Sequence, residues 1–266
     1  MSLALFKTTI KKNLMITTIF LFVMLFYSVV MISMFSPESL DALNAMFEVL
    51  PPDMMKALGF SGVFTNLVGY LASWLYGLIL TAFPMVYCII LGNRLVAKTV
   101  DSGSIACLLA TPNSRGKIII TKGIYALLSV IVMQMIVFAV NLLISKAMFP
   151  EETIDVYVFF KLNLTVMLVN LTAMAITFFF SCLFNDTKLS LGFGSGIPIA
   201  FLLFNMLGNA SKDAEILKKF SIYGWYDPVG IANGDATLSV NLIYIGITLI
   251  LLGAGVIIFR KKRLPV

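Results

Sequence analysis

Asp101-Ser-Gly-Ser-Ile-Ala-Cys-Leu-Leu-Ala-Thr-Pro-Asn-Ser-Arg-Gly-Lys-Ile-Ile-Ile-Thr-Lys122 lies between two long apolar runs and carries most of its charge as Lys and Arg. That places it as a loop between membrane helices, on the positive side of the bilayer. Yet residues 105–110 are too apolar for a solvated loop. Gly103 breaks what precedes it, and Ser102 or Ser104 is placed to cap a short helix. Thr111-Pro112 ends that helix, because the residue before proline is pushed out of the α region. Ser114 then caps the next helix. A short, greasy helix in such a loop needs a surface to bury against, and the reading assigns that surface to another protein.

Working outward, the 266-residue chain is 60% hydrophobic and 12% charged. A soluble domain carries roughly 25% charged residues, so this is a membrane protein. Six charge-free windows are each long enough for the roughly 20 residues that cross a bilayer. They place spans at about 14–35, 67–91, 123–145, 162–184, 190–208 and 238–259, with a long loop at 92–122. The expectation is one all-α polytopic membrane domain over residues 1–266, with both termini on the same side.

The charges sort by side. One face collects thirteen basic residues against Asp101 and Asp186; the other holds six lysines against eleven acids. The positive-inside rule makes the first face cytoplasmic, and with it both termini. The net charge of +6 is therefore a membrane signature and not a nucleic-acid footprint. Residues 2–13 set Leu3, Phe6 and Ile10 among Lys7, Lys11 and Lys12, which reads as an interfacial helix before span one.

On the other face, Leu40, Leu43, Phe47 and Leu50 have helical spacing, predicting an amphipathic helix ended by Pro51-Pro52. Between spans five and six, residues 213–220 predict a short helix. Trp225, Tyr223 and Tyr226 suit a membrane interface, and Pro228 with three glycines favours a short re-entrant hairpin. Pro84 predicts a kink in span two. In span five, Gly192 and Gly196 form a small-xxx-small pair, for close helix packing or for a flexible gating point.

Several chemistries are excluded or unsupported. The chain has no His, and Cys88, Cys107 and Cys182 fit no metal-ligand spacing. No span carries a charge at its centre, where coupled carriers keep their ionisable groups. Gly116-Lys117 is not a phosphate-binding loop, so any work must draw on a partner's energy. The polar groups within the spans are neutral: Gln134 and Asn141 in span three, and Asn163, Asn170 and Thr177 in span four. Each set repeats every seven residues and so shares a helix face. Two readings stand open: hydrogen bonding between spans three and four, or a polar wall along a transport path.

The residues resemble the membrane subunit of a type-2 ATP-binding cassette (ABC) exporter. The loop pattern is carried by Asp101, Gly103, Ser104, Leu108, Leu109, Pro112, Ser114, Arg115 and Lys122. Weaker matches are the stretch 50–59, Tyr226-Asp227-Pro228 and the ending from Phe259 to Leu264. Ala106 and Arg263 stand where acidic residues are common. The resemblance implies a half-transporter with no catalytic site of its own, ATP and Mg lying on a cytoplasmic ABC ATPase. It further implies a second permease, identical or not, and a coupling helix around Ile105 to Leu109, with Asp101, Gly103, Ile105, Leu108, Leu109, Pro112 and Arg115 as the ATPase-coupling residues. Gln134, Asn141, Asn163 and Asn170 would line the path. Among such permeases it is similar to exporters of amphipathic peptides, such as phenol-soluble modulins, in a bacterial plasma membrane. The alternatives are a neutral channel or an ABC permease for lipids, drugs or ions.

Overall fold

The computed structural model describes residues 2–36, 66–111, 113–152 and 154–263. Its elements are helices, with no strand among the described residues. Six are long and apolar enough to cross a membrane, so the chain is an all-α polytopic protein. Span one is α1 (Leu3–Ser33). Span two is segmented into α2 (Leu67–Leu71), a π-helix (Ala72–Ile79), α3 (Leu80–Leu95) and α4 (Ala97–Asp101). After α5 (Ser104–Leu109) come span three, α6 (Arg115–Met148), span four, α7 (Val156–Leu183), and span five, α8 (Thr187–Ala210). Two short helices, α9 (Ile216–Lys219) and α10 (Pro228–Ala232), precede span six, α11 (Leu238–Lys261).

The starts of these helices are written in side chains. The carboxylate of Asp155 accepts from the Tyr157 and Val158 amides at 2.9 and 3.2 Å, and Asp186 accepts from Lys188 at 2.6 Å. Ser114 accepts from Lys117 at 3.3 Å, as its position predicts. Each occupies backbone donors that a helix N-terminus leaves unpaired. The Gly103 cap is different. Neither serine caps α5; Gly103 itself takes the N-cap position in the left-handed region (φ +68°), and the hydroxyls of Ser102 and Ser104 pair with each other at 2.8 Å.

Span four is the axis of the fold. It packs against spans two, three, five and six, and 78% of its most apolar stretch is buried, against 17% for spans one and five. Span one leans on spans three and two. The basic residues gather at one end, where the ends of α1, α6, α7 and α11 are bonded together. The other end holds the α9–α10 hairpin.

Three expectations change. Residues 2–13 do not form a separate interfacial helix: α1 runs unbroken from Leu3 to Ser33, with no Gly or Pro to interrupt it, and the Asn13 amide donates back to the Thr9 carbonyl inside the helix at 2.8 Å. Gly192 and Gly196 face open space, and it is Gly194 between them that packs on Thr177. Tyr223 and Tyr226 are buried inside the chain, while Trp225 is half-buried. The 92–122 loop is also shorter than expected, since α3 and α6 extend into it. The predicted helix around residues 40–50 and the stretch 50–59 lie outside the described residues, as do Pro112 and Leu264.

Candidate functional site

Span two is broken in three places, and span four mends two of the breaks and steadies the third. Pro84 has no N–H, so the carbonyl four residues back, on Leu80, loses its helical partner. Asn170 of α7 donates its amide to that carbonyl at 2.9 Å. After α3 the backbone breaks at Val96 (φ −122°, ψ −69°). There the Ser181 hydroxyl inserts into the ladder, accepting from the Ala97 amide at 2.8 Å and donating to the Asn93 carbonyl at 3.4 Å. Within the π-helix, the Tyr76 hydroxyl donates to Asn163 Oδ1 at 2.8 Å.

The same device recurs on span five. Pro198 frees the Gly194 carbonyl, and Thr177 shares its hydroxyl between that oxygen and its own Ala173 carbonyl, both at 3.1 Å. Thr177 is also where three helices come closest. A side chain at Gly92 of α3 would meet the Thr177 methyl at 2.7 Å, and one at Gly194 would meet it at 3.4 Å. In a membrane, where no water reaches the backbone, irregular helices survive only with such partners.

The polar stripe of span four is therefore bonded to spans two and five. Asn163 and Asn170 are buried and take part in it. Gln134 and Asn141 on span three are buried as well; the Gln134 amide finds no partner among the described residues, and Asn141 lies within reach of the Tyr76 hydroxyl. The stripe could be read from the sequence. Its partners could not, although each proline marked the carbonyl that would need one.

At the basic end, α4 and α5 form a helical turn about Gly103. Ile105, Leu108 and Leu109 share one face of α5, and that face turns inward: Ile105 is fully buried in the chain's own core, with Leu108 and Leu109 packed against it. The side left outward is Asp101, Ser102, Gly103, Ser104, Cys107, Ala110 and Thr111. Arg115 closes the turn by donating to the Lys262 carbonyl at 3.1 Å. The Lys262 ammonium, pushed down to about 8 by burial, donates to the Cys182 carbonyl at 3.0 Å. The C-terminal basic segment thus ties the start of span three to the end of span four.

At the other end, a cavity of about 330 Å³ lies between the π-helix, span five and the α9–α10 hairpin. Asn205, Asn209, Tyr223 and Tyr226 line it. The Tyr223 and Tyr226 hydroxyls are buried with no partner among the described residues. Ser221 pins the hairpin to the Phe201 carbonyl at 2.6 Å, and the Tyr244 hydroxyl holds the Ile222 carbonyl at 2.6 Å. The sequence reading missed this cavity, because its tyrosines read as interface anchors. No group of His, Cys, Asp and Glu that would hold a metal ion occurs among the described residues.

Six apolar helices with segmented, side-chain-splinted spans define a multi-pass membrane protein. The model of one family, described as ABC-2 family transporter protein, matches residues 6–264. The chain belongs to that family and is a membrane permease component of an ABC transporter. No curated protein and no solved structure matches the chain.

Proposed function

We propose that this chain is the permease half of an ATP-driven exporter. It pairs with a second permease, and each copy couples to a cytoplasmic ATPase that holds ATP and Mg. The observation that carries the reading is the α4–Gly103–α5 turn: its apolar face is anchored in the core, so its outward side is held rigidly at the basic end. A push on that turn passes into span two through α4 and into span three through Arg115. The basic end and both termini lie on the cytoplasmic side of a bacterial plasma membrane. The bare faces of spans one and five leave room for the second permease.

The substrate class that fits is an amphipathic, membrane-active peptide. The cavity beside Tyr223 and Tyr226 offers hydroxyls and amides, with Lys218 and Asp227 also on its lining, to a ligand with both polar and apolar parts. Gln134, whose amide lacks a hydrogen bond among the described residues, and Asn141 on the same face are the stripe residues that suit a path wall. Asn163 and Asn170 serve it by holding span two in shape.

The test is co-purification with the ATPase encoded beside this gene, followed by hydrolysis in vesicles with and without amphipathic peptide. Wild type retains the ATPase. Ala110→Arg, on the outward side of the turn, loses it with stability unchanged within about 0.5 kcal/mol, as surface substitutions do. An ATPase that binds Ala110→Arg as well as wild type would remove the coupling turn from the reading.

A further inference from the structure

A second cavity, of about 210 Å³, lies at the basic end between α1, the α3–α4 junction, α5 and the start of α6. Lys12, Arg94 and Lys122 converge on it, and no carboxylate lines it among the described residues. Lys122 is only 6% exposed. Its ammonium donates to the Leu95 carbonyl at 2.6 Å and to the Thr99 hydroxyl at 3.2 Å, which uses two of its three donors. Arg94 spends one N–H on the Lys12 carbonyl at 3.3 Å, leaving the rest of its fork. Cations gathered into a partly buried space without a counter-charge are costly unless an anion completes them.

Two further observations say which anion. Asn13 lines the same cavity; it is 3% exposed, and its Oδ1 accepts from nothing among the described residues. The site therefore offers donors for a phosphate and one acceptor for a hydroxyl beside it. The lining also carries apolar side chains: Leu5 of α1, Leu95 of α3 and Leu108 of α5. A soluble anion gains nothing from those apolar side chains, whereas the acyl end of a lipid does.

We propose that this cavity is a binding site for an anionic glycerophospholipid, whose phosphate sits among Lys12, Arg94 and Lys122 and whose headgroup hydroxyl donates to Asn13. The shared chemistry is a phosphate ester bearing a hydroxyl, and the apolar part of the lining assigns it to a lipid in the leaflet at the basic end. Cys107 and Leu108 of α5 line the same space, so the bound headgroup braces the coupling turn against α1.

The test is native mass spectrometry of the full chain purified from vesicles of phosphatidylcholine with equal phosphatidylglycerol. Wild type is expected to retain phosphatidylglycerol over phosphatidylcholine. Arg94→Gln and Lys12→Gln, neither of them fully buried, should each lower that retention about tenfold, the weight of one lost charge-assisted bond. Asn13→Leu should lower the preference for phosphatidylglycerol over phosphatidic acid, which lacks the headgroup hydroxyl. Equal retention of both phosphatidyl lipids by wild type would overturn the proposal, as would full retention by the Arg94 and Lys12 variants. Displacement of the lipid by millimolar glycerol 3-phosphate would move the site to a soluble anion and overturn the lipid assignment.

Discussion

Spans two and five carry the same defect and meet different fates. Each has a proline in its interior, and each has the freed carbonyl taken by a side chain of span four: Asn170 for Pro84, and Thr177 for Pro198. Yet 61% of span two's most apolar stretch is buried, against 17% of span five's. Span two is shaped over most of its surface by its own chain, with Phe83, Val86 and Ile90 left exposed along one side. Span five is held along one edge, through Gly194 and Pro198, and leaves the opposite face with Gly192 and Gly196 bare. A kink with a partner is thus a local repair in both spans, but only in span two is it locked into a core.

The comparison breaks most easily at Gly92. Gly92→Val drives methyls into Thr177 and should cost about 1–3 kcal/mol or more, as overpacking does. Loss of thermal stability in detergent measures it, and an unchanged melting temperature would mean that spans two and four do not meet there. Asn170→Leu comes next. It orphans the Leu80 carbonyl and should cost about 1–3 kcal/mol. Adding Pro84→Ala supplies the missing N–H and should recover most of the loss. If the double variant melts no higher than Asn170→Leu alone, the amide is not there to mend the proline. The smallest effect belongs to span five: Gly196→Leu, pointing into open space, should shift the stability of the single chain by less than about 0.5 kcal/mol. A loss as large as that of Asn170→Leu would show that this face is already packed within one copy.

The six spans were legible because lipid tolerates so few sequences: charge-free windows bounded by Lys, Arg, Asp and Glu leave little choice. The capping by Ser114 and the seven-residue spacing of Asn163, Asn170 and Thr177 were legible for the same local reasons. What the stripe bonded to was not, since a helical period names a face and not the neighbour across it. The π-helix was hidden as well, because an extra residue per turn is stabilised by tertiary partners such as Asn163 and not by its own side chains. The α5 face was read correctly as needing burial, but Ile105 finds it in the same chain. Nothing in a local pattern distinguishes one's own core from a partner's groove.

The unbroken α1 has a mechanical consequence. Its 31 residues make a rod of roughly 46 Å at 1.5 Å per residue, against a hydrocarbon layer of about 30 Å. Near its middle, the Thr17 hydroxyl meets the Tyr87 hydroxyl at 3.0 Å, and Phe20 packs on the same ring at 5.5 Å between centroids. At one tip the Ser2 amide donates to the Thr121 hydroxyl at 3.0 Å; beyond the other, Phe35 rests edge-on against Phe149 at 5.1 Å. A beam with a central pivot and no hinge reverses the sign of any displacement. Whatever moves the Ser2 tip inward must swing the Phe35 tip outward, so a displacement at one membrane surface arrives inverted at the other.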